Sequence, residues 1–386
     1  MTMPRRDFVK TSSAAALALA ASPGLARVPR AKKPLRILFL GGTGFLGPHM
    51  VERAIAAGHQ VTLFNRGRTN PHLFPDAEKL EGDRYGDISA LEGREWDAVI
   101  DTFTYVPATV ARTAELLKDK VGQYLVVSTI SVYANYATPG MDESGELATV
   151  SDEIAAGIES HTQVGQYYGP MKARCEKTVE EIMPGRTCVV RPGLIVGPGD
   201  PTDRFTWWPA RVAKGGEVLA PGKPEHYTQS IDVRDLADFI VTCTERKNMG
   251  TYNADSPGAT RTMGLLLETC RAVSGSDAAF TWVPAEFLSA HGVGAWQHMT
   301  CWVPPEGDYL GFGQISTARA TANGLKIRPL SETVRDTLAW INETPEDPEL
   351  LARAVNRRER LPMGERAGVS PEKEAEVLKA WHEANG

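Results

Sequence analysis

The sequence predicts an α/β fold: a doubly wound parallel sheet with helices on both faces, joined by a smaller, discontinuous second domain. Three observations carry this. Apolar runs of strand length alternate with helix-period segments at βαβ spacing from Leu35 onward. The runs are continuously apolar rather than alternating, as strands buried on both faces are. The first run passes directly into a glycine turn and then a helix, Gly41-Gly42-Thr43-Gly44-Phe45-Leu46-Gly47.

Pro34 and the glycines bound the first strand, Leu35 to Leu40. A helix is expected from Pro48 to about Ala57, capped by Gly58, and His59 reads as a loop residue. Val61 to Phe64 is the second strand, and a third precedes Gly82-Asp83-Arg84. Trp96 to Asp101 is the fourth, Pro107 to Leu117 the next helix, and Gln123 to Val127 the fifth strand. Asn135 to Gly165 is a polar excursion at the carboxyl end of the sheet, where open α/β sheets bind ligands. The next helix starts near Gly169 or slightly before, because Pro170 is tolerable only in a first turn, and runs to Met183. Thr187 to Val190 is the sixth strand. The first domain thus covers 35–195, with return segments near 229–253, and the second covers 196–228 and 254–341. Residues 342–386 form a charged tail with a last helix from Pro371 to His382. Most aromatics between Phe280 and Val303 are expected in a core.

Composition narrows the function. The chain of 386 residues is 42% hydrophobic and 23% charged, which suits one large domain or two intimate ones. A net charge of −6 gives no nucleic-acid signature. Cys175, Cys188, Cys243, Cys270 and Cys301 are scattered and read as buried apolar residues, and the histidines form no metal-spaced pair, so no metal is expected. Residues 1–34 read as a signal and linker. Arg5-Arg6-Asp7-Phe8-Val9-Lys10, an apolar run from Ala14 to Ala21 and a small-residue end at Ala26 have the parts of an export signal. The Arg-Arg-x-Phe-x-Lys form resembles a twin-arginine signal, read by a translocase that moves folded proteins. A periplasmic or extracellular location follows from that resemblance.

Strand, glycine turn and helix form the context of a dinucleotide cradle. Gly41 permits the tight turn, Gly44 lets the backbone approach a pyrophosphate, and Gly47 lets helix and strand pack closely. Thr43, Phe45 and Leu46 complete the candidate phosphate loop, and the helix N-terminus offers unpaired N–H groups. The second strand ends in Asn65-Arg66-Gly67-Arg68, where an acid would grip a ribose 2′-hydroxyl. Arg66 and Arg68 instead favour a 2′-phosphate, hence NADP over NAD. Asp83, with Arg84 beside it, is placed to meet the adenine or, equally, to cap its own loop.

Four motifs occur in order: Gly41-x-x-Gly44-x-x-Gly47, Ser128-Thr129 before Val132-Tyr133, Tyr168-x-x-x-Lys172, and Arg191-Pro192 before Gly197-Pro198-Gly199. Together they resemble the extended short-chain dehydrogenase/reductase family, of the NAD(P)-dependent epimerase/dehydratase type, over roughly Leu35 to Ile341. The resemblance implies a Rossmann-type sheet and a hydride-transfer site. Tyr168 would be its general acid and base, with its phenol pKa lowered by Lys172 and the oxidised nicotinamide. Lys172 would also hold the nicotinamide ribose. Thr129 would orient the substrate oxygen, with Ser128 behind it, and Pro192 and Gly193 would complete the cofactor contacts. Two departures matter. Ile130 and Ser131 stand where dehydratases of the family carry an acid pair. Thr228 stands where many relatives carry a pyrophosphate-gripping arginine. Tyr133, Asp142, Arg204, Trp207 and His226 are the candidate substrate contacts.

An exported enzyme has little free NADPH to draw on, so a tightly bound cofactor restored within each cycle is expected. The leading reading is an exported epimerase or oxidoreductase acting on a sugar or polyol. A simple NADP-dependent ketone reductase or alcohol dehydrogenase, a nucleotide-sugar epimerase, and a non-catalytic relative resembling RNA-associated chloroplast proteins are the alternatives. Members of the family often pair through helices beside the active site, which leaves a homodimer open.

Overall fold

The computed structural model describes residues 30–342 and 367–386. The expected export signal and the first part of the tail lie outside the described residues. Ala31 N donates to Ala57 O at 2.9 Å, so the end of the linker lies on the first helix rather than free of the fold.

Seven strands form one parallel sheet: β1 Arg36–Leu40, β2 Gln60–Asn65, β3 Glu78–Glu81, β4 Trp96–Asp101, β5 Val121–Val127, β6 Thr187–Pro192 and β10 Gly250–Ala254. Their order is β10-β6-β5-β4-β1-β2-β3. The chain winds outward from β1 through β2 to β3, then returns to β4 on its other side. The order therefore reverses between β1 and β4, and the crevice above that point is where ligands settle in such sheets. Register is fixed by burial on both faces: Leu38 pairs with Thr62 and Val99, and Leu40 with Phe64 and Asp101.

One face of the sheet carries α1 Leu46–Ala56 and α6 Val233–Arg246, which pack Met50, Val51, Leu236 and Ile240 onto Ile37, Phe39 and Leu125. The other carries α2 Pro107–Leu117 and α4 Tyr168–Ile182, with Val110, Leu117, Cys175 and Val179 on Leu38, Val99 and Val126. His59 lies in the loop between α1 and β2, as expected, and also joins elements. It is buried, accepts from Leu35 N at 3.1 Å and meets Glu245 at 3.1 Å, which fastens β1 to α6. Between β5 and α4 lies the polar excursion, with one short helix, α3 Asp152–Gly157.

The second domain has its own core around Trp208, Leu219, Leu267 and Trp302. It contains α5 Trp207–Val212, α7 Met263–Ser274, α8 Ala285–Ala290, α10 Leu330–Asn342 and two strand pairs, whereas α9 Ala318–Ala322 packs its buried Ala320 on the first domain's core beside β10. The pairs are β7 Ile195–Val196 with β9 Ile231–Asp232, and β8 Glu217–Pro221 with β11 Ala279–Val283. The helix Pro371–Asn385 docks on this domain through buried Glu374, which takes Arg211 Nε at 2.6 Å and Leu219 N at 3.0 Å. Among the described residues no helix is long and apolar enough to cross a membrane.

Candidate active site

The glycine loop sits at the reversal point, between β1 and α1. Gly41 has φ +114°, and a Cβ there would lie 2.5 Å from Thr102 Oγ1. Gly47 packs on the loop itself, where a Cβ would come within 2.7 Å of Gly42 Cα, so helix and loop touch backbone to backbone. At Gly44 a Cβ would meet no protein atom within 4 Å. Packing therefore does not explain glycine there, whereas a ligand approaching the backbone does. Thr43, Phe45 and Leu46 carry the loop into α1. No side chain caps that helix and no acid stands in its first turn, so its N-terminal N–H groups and dipole are open to an anion. These features fit a dinucleotide phosphate.

The end of β2 shapes the same cradle. Asn65 Nδ2 donates to Gly41 O at 3.3 Å, while its Oδ1 accepts from Gly67 N at 2.9 Å. Asn65 thus holds the Arg66-Gly67 turn against the glycine loop. Asn70, which the sequence did not single out, donates to Thr43 O at 2.9 Å from the same side. Arg66 and Arg68 are exposed beside it. Asp83 is half-buried and caps its own turn, accepting from Tyr85 N at 3.0 Å. Arg84 departs from the expectation that it meets the cofactor. It is buried, bonded to Asp101 and to Thr113 Oγ1, with Tyr124 donating to the other Asp101 oxygen at 2.7 Å. It belongs to the helix–sheet interface.

On the opposite side of the crevice, α4 starts at Tyr168, just before Gly169 as Pro170 suggested. Gly169 makes this placement: a Cβ there would overlap Ser131 O, so only glycine lets the helix reach the 129–131 turn. Thr129 caps that turn, accepting from Ser131 N at 3.1 Å. The contact sets the 129–131 turn against the first turn of α4, where the Thr129 hydroxyl, itself donating to Ser131 Oγ at 3.2 Å, lowers the pKa of the Tyr168 phenol. One helical turn on, Lys172 is buried and donates to Thr104 Oγ1 at 2.7 Å and to Val127 O at 2.8 Å, with its cation 4.8 Å from the Tyr105 ring centre. Thr129, Tyr168 and Lys172 are therefore brought together. Thr104 and Tyr105, which steady Lys172, carried no signal in the sequence.

Burial moves the two titrating groups in opposite directions when no cofactor is bound. Burial, then Tyr105, pushes the Tyr168 phenol up to about 12, against the Thr129 hydrogen bond and the Arg204 charge, which lower it. Burial pushes Lys172 down to about 8, against Cys175, Asp101 and Glu176, which raise it. Without cofactor the phenol keeps its proton at neutral pH, and Lys172 is still mostly charged there.

The other site candidates separate. Ser128 is buried and donates to Glu176, which is paired with Arg191 at 2.6 Å. Tyr133 belongs to the same network: it accepts from Arg191 Nη1 at 3.1 Å and donates to Asn253 Oδ1 at 2.7 Å. Its hydroxyl is engaged in the wall of the site. Pro192 ends β6, and Gly193 N donates to Ala254 O at 3.1 Å with Gln229 and Asp255 directly behind it. Asp142 caps Ser144 in a surface groove with Thr251 and Arg319. Trp207 packs edge-on against Trp208 and beneath Gly368. His226 accepts from buried Trp302 Nε1 at 3.1 Å. Of the five substrate candidates, Arg204 is the one whose charge bears on Tyr168.

A parallel sheet with a glycine cradle at its reversal point and a Tyr–Lys–Thr set across the crevice defines a nicotinamide-dependent enzyme class. A family model for the NAD dependent epimerase/dehydratase family matches residues 37–254, and the chain belongs to that family. It is an NAD(P)-dependent epimerase or oxidoreductase of the extended short-chain dehydrogenase/reductase type. The chain is 24% identical over 245 residues to the epimerase family protein SDR39U1 of Bos taurus, covering 59% of this chain and 76% of that one. It is 26% identical over 222 residues to the chloroplast stem-loop binding protein of 41 kDa b of Arabidopsis thaliana. There the match spans 53% of this chain and about half, 54%, of the relative. Two solved structures share the fold. Human SDR39U1 with NADPH has a TM-score of 0.53 and 19% identity, covering 79% of this chain and 99% of that one. The UDP-glucuronic acid 4-epimerase of Bacillus cereus with NAD has a TM-score of 0.58 and 14% identity, covering 80% and 99%.

Proposed function

We propose that this chain is an exported, NADP-preferring epimerase or oxidoreductase that acts at a secondary alcohol of an unactivated sugar or polyol and retains its cofactor through the cycle. The observation that carries the reading is the Thr129–Tyr168–Lys172 set facing a glycine cradle that packing alone does not explain. The nicotinamide, when bound, supplies the hydride acceptor and a positive charge. Thr129 holds the substrate hydroxyl oxygen beside the phenol. Tyr168 takes that hydroxyl proton as the carbinol is oxidised and returns it on reduction. A phenol held near 12 is a poor base, so oxidation depends on positive charge arriving with the cofactor, with Arg204 and Thr129 already working in the same direction. Lys172 and Thr104, both anchored on Val127 O, are placed to hold a ribose hydroxyl next to the phenol.

Exposed Arg66 and Arg68, with no acid at the end of β2, favour a 2′-phosphate. NADPH in the human relative and NAD in the bacterial one show that the fold serves both. The position of the nucleotide-gripping arginine is held by Thr228, which is buried with its hydroxyl bonded to Cys301 O. This favours a substrate without a nucleotide. Export rests on the Arg5-Arg6 signal and is tested by fusing residues 1–34 to a reporter, with Arg5-Arg6 changed to Lys-Lys as the control. The activity is tested with Tyr168→Phe. Hydride transfer to NADP should fall on the order of 10²- to 10⁴-fold, and an unchanged rate would remove every catalytic version of the reading.

A further inference from the structure

The loop after β7 brings Arg204 to the rim of the site by a route that strains the backbone. Gly199 lies against the Phe45 ring of the cradle, where a Cβ would stand 3.7 Å from it. Asp200 is buried and turns the chain inward, its Oδ1 accepting from Thr202 N and Thr202 Oγ1, each at 2.8 Å. Thr202 Oγ1 in turn accepts from Arg204 Nε at 3.2 Å. The guanidinium carbon lies 5.1 Å from the Trp296 ring centre, and the Cys301 thiol donates to Arg204 O at 3.7 Å. Asp203, Trp296 and Cys301 have φ of 57°, 64° and 61°. Three of the seven described non-glycine residues with positive φ therefore converge on this arginine. Such conformations are disfavoured for any residue with a Cβ, and they cluster where function holds them in place.

All this positions a guanidinium that makes no ion pair and whose terminal nitrogens bond to no described residue. From Trp296 an aromatic wall continues to Phe312, at 5.5 Å between ring centres, and on to Tyr136 at 5.1 Å. Tyr136 donates to Ile130 O at 3.2 Å, next to Thr129. The wall thus runs from the free cation to the residue that would hold the reacting oxygen.

We propose that Arg204 binds a carboxylate of the substrate, which makes that substrate a sugar acid or related polyhydroxy acid rather than a neutral sugar. The proposal rests on reading Thr129, Tyr168 and Lys172 as the hydride-transfer site. A planar guanidinium fork matches a carboxylate in two parallel hydrogen bonds. A single cation with Asp200 and Asp203 beside it suits a monoanion better than a phosphate dianion, which both acids would repel. The wall offers ring faces to the less polar side of a pyranose.

The test is calorimetric titration of the holoenzyme with hexuronates, each paired with its neutral hexose, and with inorganic phosphate. At least one hexuronate should bind the wild type more tightly than its hexose. Arg204→Gln should weaken it on the order of 10- to 100-fold, with partial rescue by Arg204→Lys, while the hexoses bind both forms alike. Hexuronates that bind no better than hexoses, or equally well to Arg204→Gln, would overturn the proposal, and so would Arg204-dependent binding of phosphate alone. Reduction of the bound cofactor by the best hexuronate in wild type and in Tyr168→Phe separates the two ideas. Equal reduction in both defeats the hydride-transfer reading, whatever Arg204 binds.

Discussion

Tyr168 and Lys172 occupy neighbouring positions on one helix face, yet burial moves their protons in opposite senses. For Lys172 the consequence is a pH-dependent stability. Its folded value near 8 lies below 10.5, so between these pH values the unfolded chain binds the proton that the folded one has released. Stability from this residue therefore rises with pH across that window, and below pH 8 the full burial cost is present, roughly 3 kcal/mol. The unfolding temperature of wild type minus that of Lys172→Met should climb from pH 8 to 10.5, and a flat difference would contradict the buried-lysine account. The Tyr168–Lys172 pair was legible because a spacing of four defines a helix face without further information. The same reasoning failed for Arg84, whose partners Asp101 and Thr113 come from β4 and α2, and for Tyr133, whose hydroxyl is taken by Arg191 and Asn253. Only assembly of the sheet brings those partners together, and no local pattern records them.

Among the elements, the β1–α1 unit divides its glycines between two tasks, and substitutions separate them. Gly47→Ala forces a Cβ onto the Gly42 backbone and should cost about 1–3 kcal/mol of stability, read by thermal unfolding. Gly44→Ala meets no protein atom, so the fold should keep its melting temperature while NADP affinity drops. Equal melting losses in both variants would contradict the division. Arg66→Glu with Arg68→Glu should weaken NADP roughly tenfold or more relative to NAD, measured by competition for the purified protein. Strand and helix positions were legible in the sequence to within a few residues, since buried runs and glycine turns punctuate the chain. The start of α4 was legible from Pro170, but not the task of Gly169, whose lack of a Cβ admits the Ser131 carbonyl and which looks like any other loop glycine.

At the scale of the molecule, the C-terminal helix is held on the second domain. Glu374 couples that helix to α5, which begins three residues after Arg204, and to β8, through its contacts with Arg211 and Leu219. Glu374→Ala leaves the half-buried Arg211 without its carboxylate and should cost about 2–4 kcal/mol, read as a lower melting temperature of the full chain. None of this docking was legible in the sequence, where the last helix shows only its own amphipathic pattern. The class of enzyme was legible, because cradle and Tyr–Lys pair are local motifs. The substrate was not, because its contacts come from loops that meet only in the folded chain.

The central claim is that this crevice holds a nicotinamide dinucleotide tightly enough to work without a free cofactor supply. Denaturing the purified full-length protein and identifying the released nucleotide tests it most directly. The account predicts close to one NADP or NADPH per chain, with turnover that continues when none is added. Protein that releases no nicotinamide nucleotide, and turns over only while cofactor is supplied, would contradict it.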